Sequence, residues 1–225
     1  MEKTYQDIHQ ITLAVDCIIF GFNDNQLEVL LIHRGFEPEK ERWSLIGGFV
    51  ENQEDLDDAA HRILNQLTGL KNVYMEQVKT FGKLNRDPFK RVVSVTYSAL
   101  ILKANYNPEL IKMYRAQWFP IDNLPELIFD HKDMILAAIQ RLRRRVRSAP
   151  IGFNLLPEKF TLPQLRKLYE VILAEKIDKR NFRKKLKSMD FLIPIGEKDK
   201  SESKKGAFLY SFDEENYKKA QNFSI

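Results

Sequence analysis

Four basic residues near the C-terminus fall at helical spacing: Arg180, Arg183, Lys184 and Lys187 recur at i, i+3, i+4 and i+7. Phe182, Leu186 and Met189 recur at i, i+4 and i+7 on the other side, roughly half a turn away at about 100° per residue. Such a helix buries one face and offers the other to a polyanion. Arginine suits bidentate hydrogen bonds to guanine, and lysine more often meets phosphate. Lys179 and Asn181 stand at the N-terminal end, which commonly faces base edges, and Asp178 is suited to cap it. An earlier helix starts at Thr161 as cap, with Pro163 in its first turn and Leu165, Leu168, Tyr169 and Ile172 on its apolar face. A break at 175–177 separates the two helices. That order matches helix–turn–helix geometry, in which the second helix enters the major groove and the start of the first, here Thr161 and Gln164, lies close to DNA. Phe191–Ile195 and Ala207–Phe212 then read as two strands around a polar loop, Gly196–Gly206, forming a hairpin wing. Lys198, Lys200, Lys204 and Lys205 would meet backbone phosphates there. Duplex DNA is the expected partner. RNA fits less well, because the basic helix lacks interleaved aromatics that stack on single strands.

The preceding part of the chain must carry a different task. Ile11–Phe22 and Leu27–His33 read as strands about an Asn23-Asp24-Asn25 turn, and Val73–Phe81 and Val92–Ile101 as two more. A helix from about Asp55 to Leu67 has the stripe Leu56, Ala59, Ala60, Ile63, Leu64 and Leu67, with Gly69 as its stop. Another, from about Asp130 to Arg147, sets Ile135, Ile139, Leu142 and Val146 on one side. It ends in Arg141, Arg143, Arg144, Arg145 and Arg147, and such runs are as a rule solvated faces. Ala149-Pro150-Ile151-Gly152 breaks that helix and places the domain boundary between 149 and 150.

Charge agrees with that division. Residues 1–150 carry 20 Lys and Arg against 20 Asp and Glu, whereas 151–225 carry 16 against 11, so the net +5 lies entirely in the tail. Cys17 is the sole cysteine, and His9, His33, His61 and His131 are too scattered for a zinc site, so neither metal nor cofactor is expected. No apolar run approaches the roughly 20 residues of a membrane span, and the N-terminus is polar. A cytoplasmic protein is expected.

Gly48-Phe49-Val50-Glu51-Asn52-Gln53-Glu54, followed by Arg62 and Gly69-Leu70, resembles the Nudix box. Trp43–Val50 and the stretch from Arg86-Asp87-Pro88 to Arg91–Val95 are similar to the Nudix-related transcriptional regulators, and with the winged helix the resemblance covers nearly the whole chain. It implies an α+β architecture: a Nudix-like α/β/α sandwich with a mixed sheet over 1–149 for effector sensing and dimerisation, and a winged helix–turn–helix over 150–225. It also implies a homodimer on a palindromic operator, with repressor favoured over activator. The departure from the family is chemical. Active Nudix hydrolases hold magnesium with helical glutamates, and the matching positions here are Ile63, Gln66 and Leu67, none of which supplies a carboxylate. Glu54 and Arg62 retain the pairing that ties loop to helix, while Glu51, Asp57 and Asp58 are the remaining acidic candidates for another metal arrangement. A non-catalytic sensor is therefore expected.

Members of this family sense different ligands, some ADP-ribose in NAD metabolism, others pentoses. A pyrophosphate would call on Arg34, Arg86 or Arg91 for neutralisation, whereas a sugar needs a few fixed donors and acceptors over an apolar platform. Asp16, Glu51, Asn85 and Arg86 are the polar candidates, with Trp43, Phe49 or Phe81 as platform. L-arabinose is the expected effector, coupled to sugar catabolism genes. The alternatives are an ADP-ribose-responsive regulator, a residual hydrolase of nucleoside diphosphate sugars, and an interaction module with a basic tail.

Overall fold

The computed structural model describes residues 10–23, 26–71, 73–103, 108–149, 151–187, 190–201, 205–213 and 215–216. Its organising element is β1 (Thr12–Asn23), whose run of apolar residues is buried on both faces. Because side chains alternate along a strand, Val15, Cys17 and Ile19 point to one side and Ile18 and Phe20 to the other. Asp16 shares the second face. β1 pairs in parallel with β6 (Val92–Ile101) and antiparallel with β2 (Gln26–His33) and β4 (Ile46–Phe49). β5 (Met75–Phe81) pairs with β6, while β3 (Trp43–Ser44) and β7 (Gln117–Pro120) pair with β2. The result is a seven-stranded mixed sheet. The sequence did not reveal β3, β4, β7 or the short helix α2 (Pro108–Met113), because elements of two to six residues carry too little periodicity.

Each face of the sheet receives one long helix. α1 (Leu56–Thr68) buries Ala59, Ala60, Ile63 and Leu64 against the Val15 side and ends at Gly69, whose N–H reaches the Asn65 carbonyl at 2.8 Å. α3 (His131–Ser148) lays Met134, Ile135, Ala138, Ile139, Leu142 and Val146 against the Ile18 side. The expected sandwich is what forms.

After α3 the chain makes a 3-10 turn at Phe153–Leu155, then β8 (Phe160–Thr161), α4 (Leu162–Leu173), α5 (Lys179–Lys187), β9 (Leu192–Asp199) and β10 (Ala207–Phe212). β8, β10 and β9 form a small antiparallel sheet beside the two helices, a winged helix–turn–helix. The second strand of the wing has the expected bounds, Ala207–Phe212, while the first runs further than the sequence suggested: β9 continues through Gly196 to Asp199, which shortens the loop.

The two halves share one apolar cluster. Leu165, Leu168, Tyr169 and Ile172 of α4 belong to the same buried set as α3 and as Ile18 and Phe20 of β1. Four of the arginines at the end of α3 are engaged within the fold, two of them across this joint, which corrects the expectation of a solvated face. Arg141 and Arg145 both pair with Glu76 of β5. Arg143 Nε donates to the Ile172 carbonyl of α4 at 2.8 Å, and Arg147 pairs with Glu175 at 3.0 Å. Arg144 alone of the five, an exposed residue, has no such partner among the described residues.

Candidate effector cleft and nucleic-acid interface

A cleft of about 600 Å³ opens where the loop before β6 meets the segment leading into α3. Lys83, Asn85 and Arg86 come from the loop, Phe129 and Asp130 from the other wall, and Glu39 from the β2–β3 connection. Arg86 is 7% exposed and grips Asp130 with both arms, Nε to Oδ2 at 3.1 Å and Nη2 to Oδ1 at 2.7 Å. A planar guanidinium bound by two parallel bonds has a fixed orientation. Beneath it lies Asp16, with Oδ2 3.9 Å from Arg86 Nη2 and accepting from Ser94 Oγ at 2.5 Å. The β1–β4 register sets Asp16 opposite Gly47, and a Cβ at Gly47 would stand 2.1 Å from Asp16 Oδ1. Glycine is thus what lets the carboxylate sit there.

His131 completes the buried group. Its Nδ1 accepts the Leu45 N–H at 3.1 Å, so in the neutral ring the proton resides on Nε2, which faces Asp16 Oδ1 at 3.8 Å. Burial lowers the His131 pKa, with Arg86 adding to the effect and Asp16 opposing it, and the ring is neutral near neutral pH. Two carboxylates therefore share one buried guanidinium.

Arg34 stands beside this network. Its guanidinium lies 4.0 Å from the Phe36 ring centre and 5.6 Å from that of Phe129. Its Nε is buried with no hydrogen-bond partner. Desolvation lowers its pKa, partly offset by Asp87, Asp16 and Glu39. A desolvated guanidinium with an open donor suits an anionic oxygen. Phe129 and Glu39, on opposite walls, both have left-handed backbone, φ 49° and 64°. Such residues without glycine's freedom cluster at ligand sites.

Of the effector contacts expected from sequence, Asn85 and Arg86 line the cleft, Asp16 lies beneath it, and Arg34 adjoins it through Phe129. The other four lie elsewhere. Trp43 is enclosed by His33, with ring centres 3.9 Å apart, and by Phe119 at 4.8 Å. Phe81 packs on the core from β5 beneath the Lys79 ammonium. Phe49 points outward on β4, and Glu51 lies in the exposed loop before α1. Phe129, Asp130 and His131 escaped the sequence reading because Asp130 and His131 read there only as the start of a helix.

Gly48 and α1 hold the remnant of the loop–helix motif. Glu54 accepts from Arg62 Nε at 2.8 Å and from the Glu51 N–H at 2.8 Å, as the sequence led one to expect of this pair. The Arg62 hydrogen bond, with help from the Glu51 N–H, holds the Glu54 carboxyl down to about 2. Ile63 is 3% exposed and fills the space over Gly48, where a Cβ would meet its Cδ1 at 2.8 Å. Gln66 accepts from Arg62 Nη1 at 3.4 Å, and Leu67 packs on the α1 core. One amide and two alkyl groups do not fit a hard divalent cation, which requires anionic oxygens. Of the acidic neighbours, Asp57 accepts from Tyr97 Oη at 2.5 Å and Glu51 lies 3.6 Å from Arg62.

The second surface is α5. Asp178 Oδ1 caps it through the Asn181 N–H at 2.8 Å. Phe182 and Leu186 are buried, with Phe182 edge-on to Tyr169 of α4, while Lys179, Arg180, Asn181, Arg183 and Lys184 are exposed. None of those cations has an ion-pair partner among the described residues. Lys205 is exposed in the wing turn; Lys204, Met189 and the side chain of Lys187 lie outside the described residues. Thr161 requires correction as a DNA contact. It is 3% exposed, and its Oγ1 accepts the Gln164 N–H at 3.3 Å while Gln164 Oε1 accepts the Thr161 N–H at 2.7 Å. This reciprocal capping box starts α4 and leaves Gln164 half-buried with its carbonyl oxygen engaged.

Residues 11–138 match the NUDIX domain family, and residues 152–212 match the family described as the NrtR DNA-binding winged helix domain. Over 209 residues the chain is 34% identical to the ADPR responsive transcriptional repressor NtrR of Acinetobacter baylyi, covering 91% of this chain and 83% of that protein. The fold superposes with a TM-score of 0.83 on NrtR of Shewanella oneidensis crystallised with a 27mer DNA, at 31% identity, covering 94% of this chain and 97% of that one. The NUDIX domain of the same Shewanella protein, crystallised with ADP ribose, matches 62% of this chain and 94% of its own length at 30% identity, with a TM-score of 0.52.

Proposed function

The chain belongs to the NrtR family of Nudix-related transcriptional regulators, and on that premise we propose that it is an operator-binding repressor controlled by ADP-ribose. The observation that carries this reading is the exposed cationic face of α5, on a helix whose apolar face is buried in the same cluster as α3 of the sensing half. α5 enters the major groove, Arg180 and Arg183 read base edges, and Lys179 and Lys184 engage phosphates. Residues 1–149 sense the effector and mediate homodimerisation, and 150–225 bind a palindromic operator. No described helix is long and apolar enough to cross a membrane.

The preference for L-arabinose gives way here. The Acinetobacter relative is named for its response to ADPR, and the cleft suits a charged ligand better than a neutral sugar. Arg34, beside the cleft, has a buried donor without a partner that suits a phosphate oxygen, Lys83 lines the cleft, and Trp43, Phe49 and Phe81 form no platform in it. The protein binds this ligand without hydrolysing it, because Ile63, Gln66 and Leu67 leave the helical positions without carboxylates.

ADP-ribose alters operator affinity by preferring one arrangement of the two halves over the other, which is the thermodynamic requirement for any such response. The test is selection of genomic fragments by the purified protein at about physiological salt, with and without ADP-ribose. A recurring palindrome whose recovery changes with ADP-ribose is expected. No enriched sequence under either condition would overturn the reading, and magnesium-dependent cleavage of ADP-ribose would overturn its non-catalytic part.

A further inference from the structure

A cleft that receives an anion has reason to exclude carboxylates, yet Glu39 lines this one. Resting on the reading of ADP-ribose as effector, we propose that Glu39 determines specificity for ribose: its unengaged carboxylate oxygen accepts hydrogen bonds from ribose hydroxyls, while Arg34 takes a phosphate oxygen. The connection between β2 and β3 holds that carboxylate in place. Its base is closed by two backbone hydrogen bonds, Arg34 N–H to the Arg42 carbonyl and Glu41 N–H to the Arg34 carbonyl, each at 2.9 Å. Arg42 N–H reaches the Glu39 carbonyl at 3.3 Å, and Glu39 and Glu41 both have left-handed backbone, φ 64° and 63°. Glutamate adopts that conformation at a cost, and the closed loop sustains it.

The side chain is fixed at its far end as well. Glu39 Oε2 accepts from Arg42 Nη1 at 2.6 Å, and the same guanidinium donates through Nη2 to Glu126 at 2.5 Å, on the segment that leads to Phe129. That pairing occupies one oxygen. No described residue donates a hydrogen bond to Oε1, although the Glu39 side chain is only 24% exposed. An acceptor so placed suits a ligand that brings donors. A cationic ligand would meet Lys83 in the same cleft and Arg34 beside it, and a phosphate at Glu39 would meet like charge. Hydroxyls carry neither penalty. Glu39 is also one of the carboxylates whose charge offsets the desolvation of Arg34, so the acceptor and the unpartnered guanidinium donor are neighbours. A ribose phosphate carries hydroxyls and phosphate on one ring and needs such a pair side by side. Dinucleotide sites of an unrelated fold likewise set a carboxylate on ribose hydroxyls.

The test is calorimetric titration of the full-length protein with three probes: ADP-ribose, 2′-deoxy-ADP-ribose, which lacks a hydroxyl on the adenosine ribose, and ADP, which lacks the terminal ribose. Glu39→Ala weakens ADP-ribose about tenfold or more, the range of a hydrogen bond to a charged group. Glu39→Gln keeps an oxygen for Arg42 and offers the hydroxyls a neutral partner, and it recovers part of that affinity. With at least one of the two analogues the loss in both variants shrinks below about twofold, which identifies the ribose that Glu39 holds. Arg34→Ala, in contrast, weakens all three probes alike, since each carries the same two phosphates. A loss in the Glu39 variants that is equal for all three probes would make the residue a support of its loop and overturn the proposal. An undiminished affinity for ADP-ribose in Glu39→Ala would overturn it too, and both results leave the effector reading standing. Wild-type protein that fails to bind ADP-ribose would overturn the two together.

Discussion

α3 and α5 are both arginine- and lysine-rich helices with one buried apolar face, and in the sequence they look alike. In the folded protein they do opposite things. The cations of α3 are spent within the molecule: Arg141 and Arg145 on Glu76, Arg143 on the Ile172 carbonyl, and Arg147 on Glu175. Lys179, Arg180, Arg183 and Lys184 of α5 are exposed and lack ion pairs among the described residues. Positive charge alone does not mark a nucleic-acid surface. What marks it is charge that the rest of the chain has left uncompensated, on a helix whose other face is fixed.

The largest expected effect exploits this difference. Arg183→Ala with Lys184→Ala lowers operator affinity by roughly a hundredfold or more, since each contact contributes about 1–3 kcal/mol. The melting temperature and ADP-ribose affinity do not change. A parallel loss of melting temperature would mean that α5, like α3, uses its cations for folding. Glu76→Gln is the reciprocal substitution. It leaves two guanidiniums, each about a third exposed, without their carboxylate. Screened as they are, the expected loss is about 1–2 kcal/mol, or roughly 2–8 °C in thermal unfolding. Operator affinity at a temperature well below unfolding is unaffected; a loss there as large as in the α5 variant would erase the distinction between the helices.

Arg62 extends the comparison to a weaker case. It is paired with Glu54, whose carboxyl is held at about 2 against an ordinary value of 4.5. A carboxylate lowered by folding contributes stability that is fully present above the ordinary value and is lost as pH falls through the folded one. Acid unfolding followed by circular dichroism will therefore show Glu54→Gln less sensitive than wild type between about pH 4.5 and pH 2. Parallel curves would show that the loop–helix tie adds nothing measurable.

Legibility in the sequence followed the range of the interactions. α1, α3, α4 and α5 and the long strands were readable because apolar period and caps are local: Asp178 caps α5, and Thr161 and Gln164 form the box that starts α4. That same locality misled the assignment of Thr161 to DNA, since a good cap is turned inward. The cleft was half legible. Asn85 and Arg86 stand in a polar loop that invites a binding reading, but Asp130, the partner of Arg86, is 44 residues away from it, and His131 is 86 residues from the Leu45 N–H it accepts. Trp43 and Phe81 look like ligand platforms in one dimension and are core once His33, Phe119 and β6 close around them. The proposed effector rests on relatives and on the unpartnered donor of Arg34, neither of which composition reveals.

The central claim is that one molecule joins an ADP-ribose site to an operator-binding face. Its most direct test is a titration of ADP-ribose into the full-length protein bound to its selected palindrome, read by fluorescence anisotropy, with L-arabinose as the parallel arm. The account predicts at least about a fivefold change in operator affinity with ADP-ribose, abolished by Arg34→Ala, and none with L-arabinose. A response to L-arabinose alone, or an affinity indifferent to ADP-ribose that nevertheless binds the free protein, would contradict it.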